Sequence, residues 1–274
     1  MTVEPFRPED VAEFLKMATA ENWVVEPWEC AFLLEAFPEG CFCMRDCAGK
    51  AIAFVTSLQH ERSGWIGNLI VAEGYRGQGR GEGLFRKAME SLQAVGVSTF
   101  WLTASNSGRS LYEKYGFKSL DAVIRWSGNG RQRHAGHARH ANSDDPLTSV
   151  SFIDSQTWGD RRDALLAVIA GRGQLLLEGT GFIVMQPCGT AVQLGPFSAL
   201  GGSAADHLLT AALGAVSEET RVYIDAPLSN SSAVRLFRRR GMQITGRTEL
   251  MYAGIRPAYQ PGLLYGLATM GSCG

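Results

Sequence analysis

No run of about 18 apolar residues occurs in this chain of 274 residues, so no membrane-spanning helix is expected. A surplus charge of one sign is missing too. The formal net charge is −1, which gives no electrostatic reason to expect a nucleic-acid partner. The opening stretch Met1–Leu15 has acidic residues early and lacks an apolar h-region, so it does not read as a secretory signal. A cytoplasmic location is the default expectation. The cysteines contain no CxxC pair. Cys41, Cys43 and Cys47 cluster without a nearby histidine to complete a tetrahedron. With Cys30, Cys188 and Cys273 they are expected to be reduced, mostly buried thiols. No metal is expected.

What remains is an ordinary globular composition, 45 % hydrophobic and 19 % charged, enough to bury a core without staples. One segment breaks the pattern. Residues 127–150 hold glycines, the basic cluster Arg131, Arg133 and Arg139, and His134, His137 and His140, before ending at Asp144-Asp145-Pro146. With no apolar periodicity, this stretch reads as a linker rather than a metal site.

Before it, strands are expected at Thr2–Phe6, Gly40–Arg45, Ala51–Leu58, Trp65–Val71, Ser98–Thr103 and Ala122–Trp126. Helices are expected at Pro8–Ala20, Pro27–Phe37, Gly81–Ala94 and Gly108–Tyr115. The third carries Leu84, Phe85, Ala88, Met89 and Leu92 on one face. After the linker a similar order returns, with helices at Arg161–Ala170, Ala204–Val216 and Ser231–Arg239. Strands are expected at Gln174–Glu178, Gly181–Gln186, Ala191–Phe197, Arg221–Asp225 and Glu249–Tyr252. A shift of 125 residues without gaps places Leu69 on Leu194, Leu84 on Leu209, Leu111 on Leu236 and Gly116 on Gly241. The tail Gly262–Thr269 is apolar enough for a further strand against the other half.

The most informative stretch joins a strand to a helix. It reads Asn68-Leu69-Ile70-Val71-Ala72-Glu73-Gly74-Tyr75-Arg76-Gly77-Gln78-Gly79-Arg80-Gly81. Glycine lets the backbone come close to a ligand, and amides at a helix start attract anions. Arg76 and Arg80 add positive charge suited to phosphate. The spacing is neither the dinucleotide GxGxxG fingerprint nor a Walker A loop.

Arg76-Gly77-Gln78-Gly79-Arg80-Gly81 resembles the Arg/Gln-x-x-Gly-x-Gly/Ala signature of the GNAT superfamily of N-acetyltransferases. A second segment also matches in order. Thr103-Ala104-Ser105-Asn106-Ser107-Gly108 is followed by Leu111-Tyr112-Glu113-Lys114-Tyr115-Gly116-Phe117. The resemblance covers nearly all of the first 126 residues. It implies two tandem GNAT folds, each a mixed, mostly antiparallel sheet flanked by helices. Residues 1–126 would be the catalytic domain, 127–150 a flexible linker, and 151–274 a degenerate copy that completes the acceptor pocket or fixes the assembly. The co-substrate implied is acetyl-CoA, held by Leu69, Ile70, Val71, Arg76, Gly77, Gln78, Gly79, Arg80, Gly81, and Ser105 or Asn106. Tyr112 resembles the family's general acid.

The acceptor implied is the amine of a small metabolite or amino-acid-like molecule, with Glu21 and Trp23 as substrate contacts. A non-catalytic acyl-CoA sensor and an acetyltransferase for a protein amine are the alternatives. The chain would be a monomer or homodimer. Glu21, Glu29, His60, Glu61 and Asp225 are base candidates by position only. In the gapless register Arg76 becomes Gly201, Gly81 becomes Asp206 and Tyr112 becomes Phe237. The second half would thus lose its cation, gain a like charge at the phosphate position and lose the acid.

Overall fold

The computed structural model describes residues 2–132 and 145–274. The first half runs β1 (Val3–Pro5), α1 (Val11–Ala20), α2 (Pro27–Ala36), β2 (Phe42–Arg45), β3 (Ala51–Gln59), β4 (Ser63–Val71), α3 (Arg80–Ala94), β5 (Thr99–Ala104), α4 (Arg109–Lys114) and β6 (Lys118–Asn129). The second half runs α5 (Pro146–Trp158), α6 (Asp163–Arg172), β7 (Gln174–Glu178), β8 (Gly181–Cys188), β9 (Ala191–Ala199), α7 (Gly202–Ala215), β10 (Arg221–Pro227), α8 (Ser231–Arg239), β11 (Gln243–Gly254) and β12 (Leu264–Gly266).

The strands do not form two separate sheets. They make one sheet in the order β1-β2-β3-β4-β5-β11-β6-β10-β9-β8-β7, with β12 on β9. The halves have exchanged their long last strands. β11 of the second half lies between β5 and β6, while β6 of the first half lies between β11 and β10. One core also crosses the division. Phe14, Cys30 and Leu33 from α1 and α2 share a cluster with Val150, Ile153, Leu165 and Ile169 from α5 and α6.

Both ends of the stretch 127–150, expected as a linker, lie in regular elements. Ser127–Asn129 continue β6, paired with Val222 and its neighbours on β10. Pro146–Val150 open α5, a helix the sequence reading did not identify. Its start is well specified: the Asp145 side chain accepts from the amides of Leu147 and Thr148 at 3.1 and 3.3 Å, and Pro146 sits at N1. Val150, Ile153, Asp154, Thr157 and Trp158 form its buried face at helical spacing. His134, His137 and His140 lie outside the described residues. Among the described residues, no helix is long and apolar enough to cross a membrane.

The two halves do share a plan, but the register of 125 residues is not gapless. It holds at α4 and α8, where the Phe117 amide bonds the Tyr112 carbonyl as the Met242 amide bonds the Phe237 carbonyl. In β4 one extra residue bulges between Gly67 and Ile70. The equivalent bulge in β9 lies between Leu194 and Phe197, 127 positions later. From Gly67 to the Gly79 cap of α3 is 12 residues, whereas from Leu194 to the Gly201 cap of α7 is 7. The second half therefore lacks five residues of the loop that carries Arg76 and its glycines.

Candidate active site

The site grows from the way β4 and β5 part. They pair in parallel only from Ser63–Thr99 to Trp65–Trp101. Past that point each runs on, and the gap between them opens beside the β4 bulge. The bulge turns on Asn68, whose φ of 56° is unusual for a residue with a side chain. Its side-chain amide donates to Thr56 Oγ1 at 3.1 Å, which holds the turn.

At the end of β4 the chain enters the glycine loop. Gly77 and Gly79 have φ of 71° and 74°, a region that side chains resist. A Cβ built on either meets nothing within 4 Å, so both face open space. α3 then starts without a side-chain cap, and its first amides open onto that space. Arg76 Nε donates to the Val71 carbonyl at 2.8 Å, and Arg76 Nη2 donates to Glu21 Oε1 at 2.5 Å. Arg80 Nη1 donates to the Tyr75 carbonyl at 3.0 Å and to the Gln78 side chain. Arg80 is thus folded back onto the loop, while Arg76 ties the loop to the end of β4 and to Glu21 at the end of α1. A cradle with space for a diphosphate, bare amides and two cations fits the nucleotide end of coenzyme A.

A cavity of about 190 Å³ lies where β4 and β5 part. Leu69, Thr103, Ser105 and Tyr112 line it from the first half, and Thr248, Met270, Gly271 and Ser272 line it from the second. Val24, Val25 and Trp23 close it from the segment between α1 and α2. Among the sequence candidates, Leu69, Ser105, Tyr112 and Trp23 therefore meet in one cavity. Asn106 is exposed on the turn beside it, while Ser105 Oγ accepts from the Gly108 amide at 3.3 Å. Ile70 is buried in the core among Phe54 and Cys273. Glu21 is not on the cavity wall; its partner is Arg76.

Tyr112 packs against Phe85, with ring centroids 5.0 Å apart, and burial pushes its pKa up to about 12. Its hydroxyl keeps its proton throughout the neutral range. Of the base candidates, His60 is buried and its pKa is driven down to about 3 by burial first, then by Arg162. Asp225 is held by Arg125 at 2.8 and 2.7 Å. Glu29 is different. It is buried, its pKa is raised to about 8, chiefly by burial, and its Oε2 accepts from Ser272 Oγ on the cavity wall. Its Oε1 accepts from the Glu26 amide at 2.9 Å.

Several wall residues escaped the sequence reading. Arg125 left a signal, a lone charge inside the apolar run Val123-Ile124-Arg125-Trp126. Thr248 and Ser272 left none, because only the strand exchange and the path of the tail bring them here. A larger groove of about 510 Å³ lies between α5 and α6, but no residue of the glycine loop or of α4 reaches it. Among the described residues, no group of three or more His, Cys, Asp or Glu is placed to hold a metal.

In the second half the corresponding gap is filled by the chain itself. β9 and β10 pair in parallel only at Val192–Val222 and Gln193–Tyr223. Beyond them β12 lies on β9, and the Leu267 amide donates to the Asp225 carbonyl at 2.8 Å. Any side chain at Gly195 would collide with the Leu267 carbonyl. Asp206, expected at a phosphate position, instead sits inside α7 and accepts from Arg240 Nη2 at 2.9 Å.

Models of the acetyltransferase (GNAT) domain match this chain twice, at residues 38–119 and 150–266. The chain belongs to the GNAT acetyltransferase family. It is a transferase of the acyltransferase class with two GNAT domains in tandem. A solved Pyrococcus horikoshii protein assigned as an acetyltransferase superposes with a TM-score of 0.86 at 22 % identity, covering 100 % of this chain and 95 % of that one. A GCN5-related N-acetyltransferase from Sphaerobacter thermophilus gives 0.67 at 17 % identity, with 98 % of each chain covered. These likenesses show the fold. In sequence, the ribosomal protein bS18-alanine N-acetyltransferase of Haemophilus influenzae is 43 % identical over 56 residues, which are 20 % of this chain and 38 % of that enzyme.

Proposed function

We propose that this GNAT protein transfers an acetyl group from acetyl-CoA to the amine of a small metabolite, using one donor site per chain. The observation that carries the reading is the open Gly77–Gly79 turn at the uncapped start of α3, together with the parted β4 and β5 and the Tyr112 cavity between them. Arg76, Gly77, Gln78, Gly79, Arg80 and Gly81 would hold the diphosphate. Backbone groups of Leu69–Val71, unpaired with β5, would bond the pantetheine amides. Bound acetyl-CoA supplies the acyl group as a thioester.

The chain's own residues then manage two protons. An alkylammonium cannot attack, so the amine must first lose a proton. Ser272 on the wall would take it and pass its own to Glu29, whose raised pKa suits a base working near neutrality. Tyr112 would give its proton to the departing thiolate. A thiolate held against the same apolar wall becomes more basic, which offsets the lowered acidity of Tyr112.

Supporting a single donor site are the loop shorter by five residues and the tail lying in the second gap. A cavity of about 190 Å³ walled by the tail favours a small acceptor over a protein chain. Calorimetry with acetyl-CoA should give one molecule per chain, and thiol release should depend on an added small amine. Two donors per chain would end the single-site reading. Release with peptide amines alone would move the acceptor to a protein.

A further inference from the structure

Among the described residues, Arg125 is the only charged side chain on the wall of the Tyr112 cavity. It comes from β6, directly opposite Asp225 on β10 in the strand register. Asp225 takes the guanidinium through Nε and Nη2, at 2.8 and 2.7 Å, and the Met270 carbonyl accepts from Nη2 at 3.4 Å. Nη1 has no protein partner among the described residues. The pair is also lopsided in exposure: the Arg125 side chain is 25 % exposed and that of Asp225 7 %. Asp225 is not on the wall. A pair serving only to join strands would gain nothing by opening its cation to a cavity, since a half-desolvated guanidinium with an unused donor edge is costly to maintain.

We propose that Arg125 receives a carboxylate carried by the acceptor, which makes the acceptor an amino acid or a near relative with acid and amine a few bonds apart. The inference rests on the acetyltransferase reading above and supplies its acceptor class. Asp225 acts as the positioning residue. It holds the guanidinium flat and fixed, so little side-chain freedom is lost when a second carboxylate accepts from Nη1. Asp225 also belongs to the second half, so that half would set acceptor choice without binding a donor.

The test uses the full chain and matched probes: free amino acids, their carboxamides, and the amines lacking the carboxyl carbon. Thiol release from acetyl-CoA is followed for each. Binding of the N-acetylated forms of all three classes to the protein, both alone and with CoA added, is measured by calorimetry. A charge-assisted hydrogen bond of ordinary strength predicts about ten- to a hundredfold preference for the acid over the amide, seen in KM rather than kcat. Arg125→Gln alone would leave Asp225 buried and unpaired, so the double variant Arg125→Gln/Asp225→Asn is used beside it. In the double variant the acid and the amide should become equal.

Equal use or equal binding of acid and amide by the wild type overturns the proposal, as does discrimination that survives in the double variant. Failure of acetyl-CoA to bind would instead defeat the donor reading. The calorimetric comparison of acid and amide would still decide the role of Arg125.

Discussion

Tyr112 and Phe237 occupy equivalent places in the two halves. Each carbonyl accepts from the amide five residues on, at 3.2 Å from Phe117 and 3.0 Å from Met242. Each ring packs on an aromatic neighbour, Phe85 at 5.0 Å and Trp126 at 5.6 Å. Only Tyr112 has a proton to give, and only Tyr112 faces a cavity. Tyr112→Phe should therefore lower turnover by about 10²- to 10⁴-fold, with acetyl-CoA affinity close to wild type. Steady-state kinetics with calorimetry separates the two. Unchanged turnover would remove the hydroxyl from the chemistry.

Gly79 needs both its positive φ and its bare side. Gly79→Val should weaken acetyl-CoA binding at least tenfold. A side chain there enters the open space at the start of α3 and forces the backbone out of the left-handed region, at a cost of about 1–2 kcal/mol. Calorimetry reads the first effect and thermal unfolding the second. Undiminished affinity would place the diphosphate elsewhere.

The raised pKa of Glu29 makes two linked predictions. As a proton acceptor it must be ionised, so the rate should rise with pH through about 8. Stability should move the other way. The folded chain holds this proton more tightly than the unfolded chain, whose carboxyl titrates near 4.5. The stabilising contribution is full below about 4.5 and is lost as pH rises through about 8. Glu29→Gln should flatten both profiles, lowering turnover while raising the melting temperature above pH 8. A rate profile left unchanged by Glu29→Gln would exclude the Ser272–Glu29 path.

The strand exchange predicts that neither half folds alone. A chain ending at residue 132 would leave β5 without β11 and β6 without both of its neighbours. Exposed apolar strand edges of this kind aggregate. Expressed separately, residues 1–132 should be insoluble, and co-expression with residues 145–274 should restore a soluble pair that binds acetyl-CoA. A soluble, monomeric first half with intact donor binding would contradict this.

Much was legible in the residues themselves. Helix α3 follows from Leu84, Phe85, Ala88 and Leu92 at helical spacing, and all four are buried. Residues 68–81 state a strand, a glycine turn and a helix start, because each is a local backbone preference. The start of α5 was written just as locally, in Asp145 and Pro146, although the run of charge and histidine before it reads as linker. Strand ends were less legible. β6 reaches from Lys118 to Asn129 because β10 and β11 pair with it on both sides, whatever its polar ends suggest.

The sequence by itself determined the family, the repeat, the glycine turn at the start of α3 and the Tyr112–Phe237 difference, since each rests on residues near one another in the chain. Tertiary structure alone decided the rest. It exchanged β6 and β11, set Arg125 against Asp225, and threaded the tail through the second gap to Ser272 and Glu29. Strand partners are chosen by packing and hydrogen bonding over more than 100 residues of separation, and no local pattern encodes that choice.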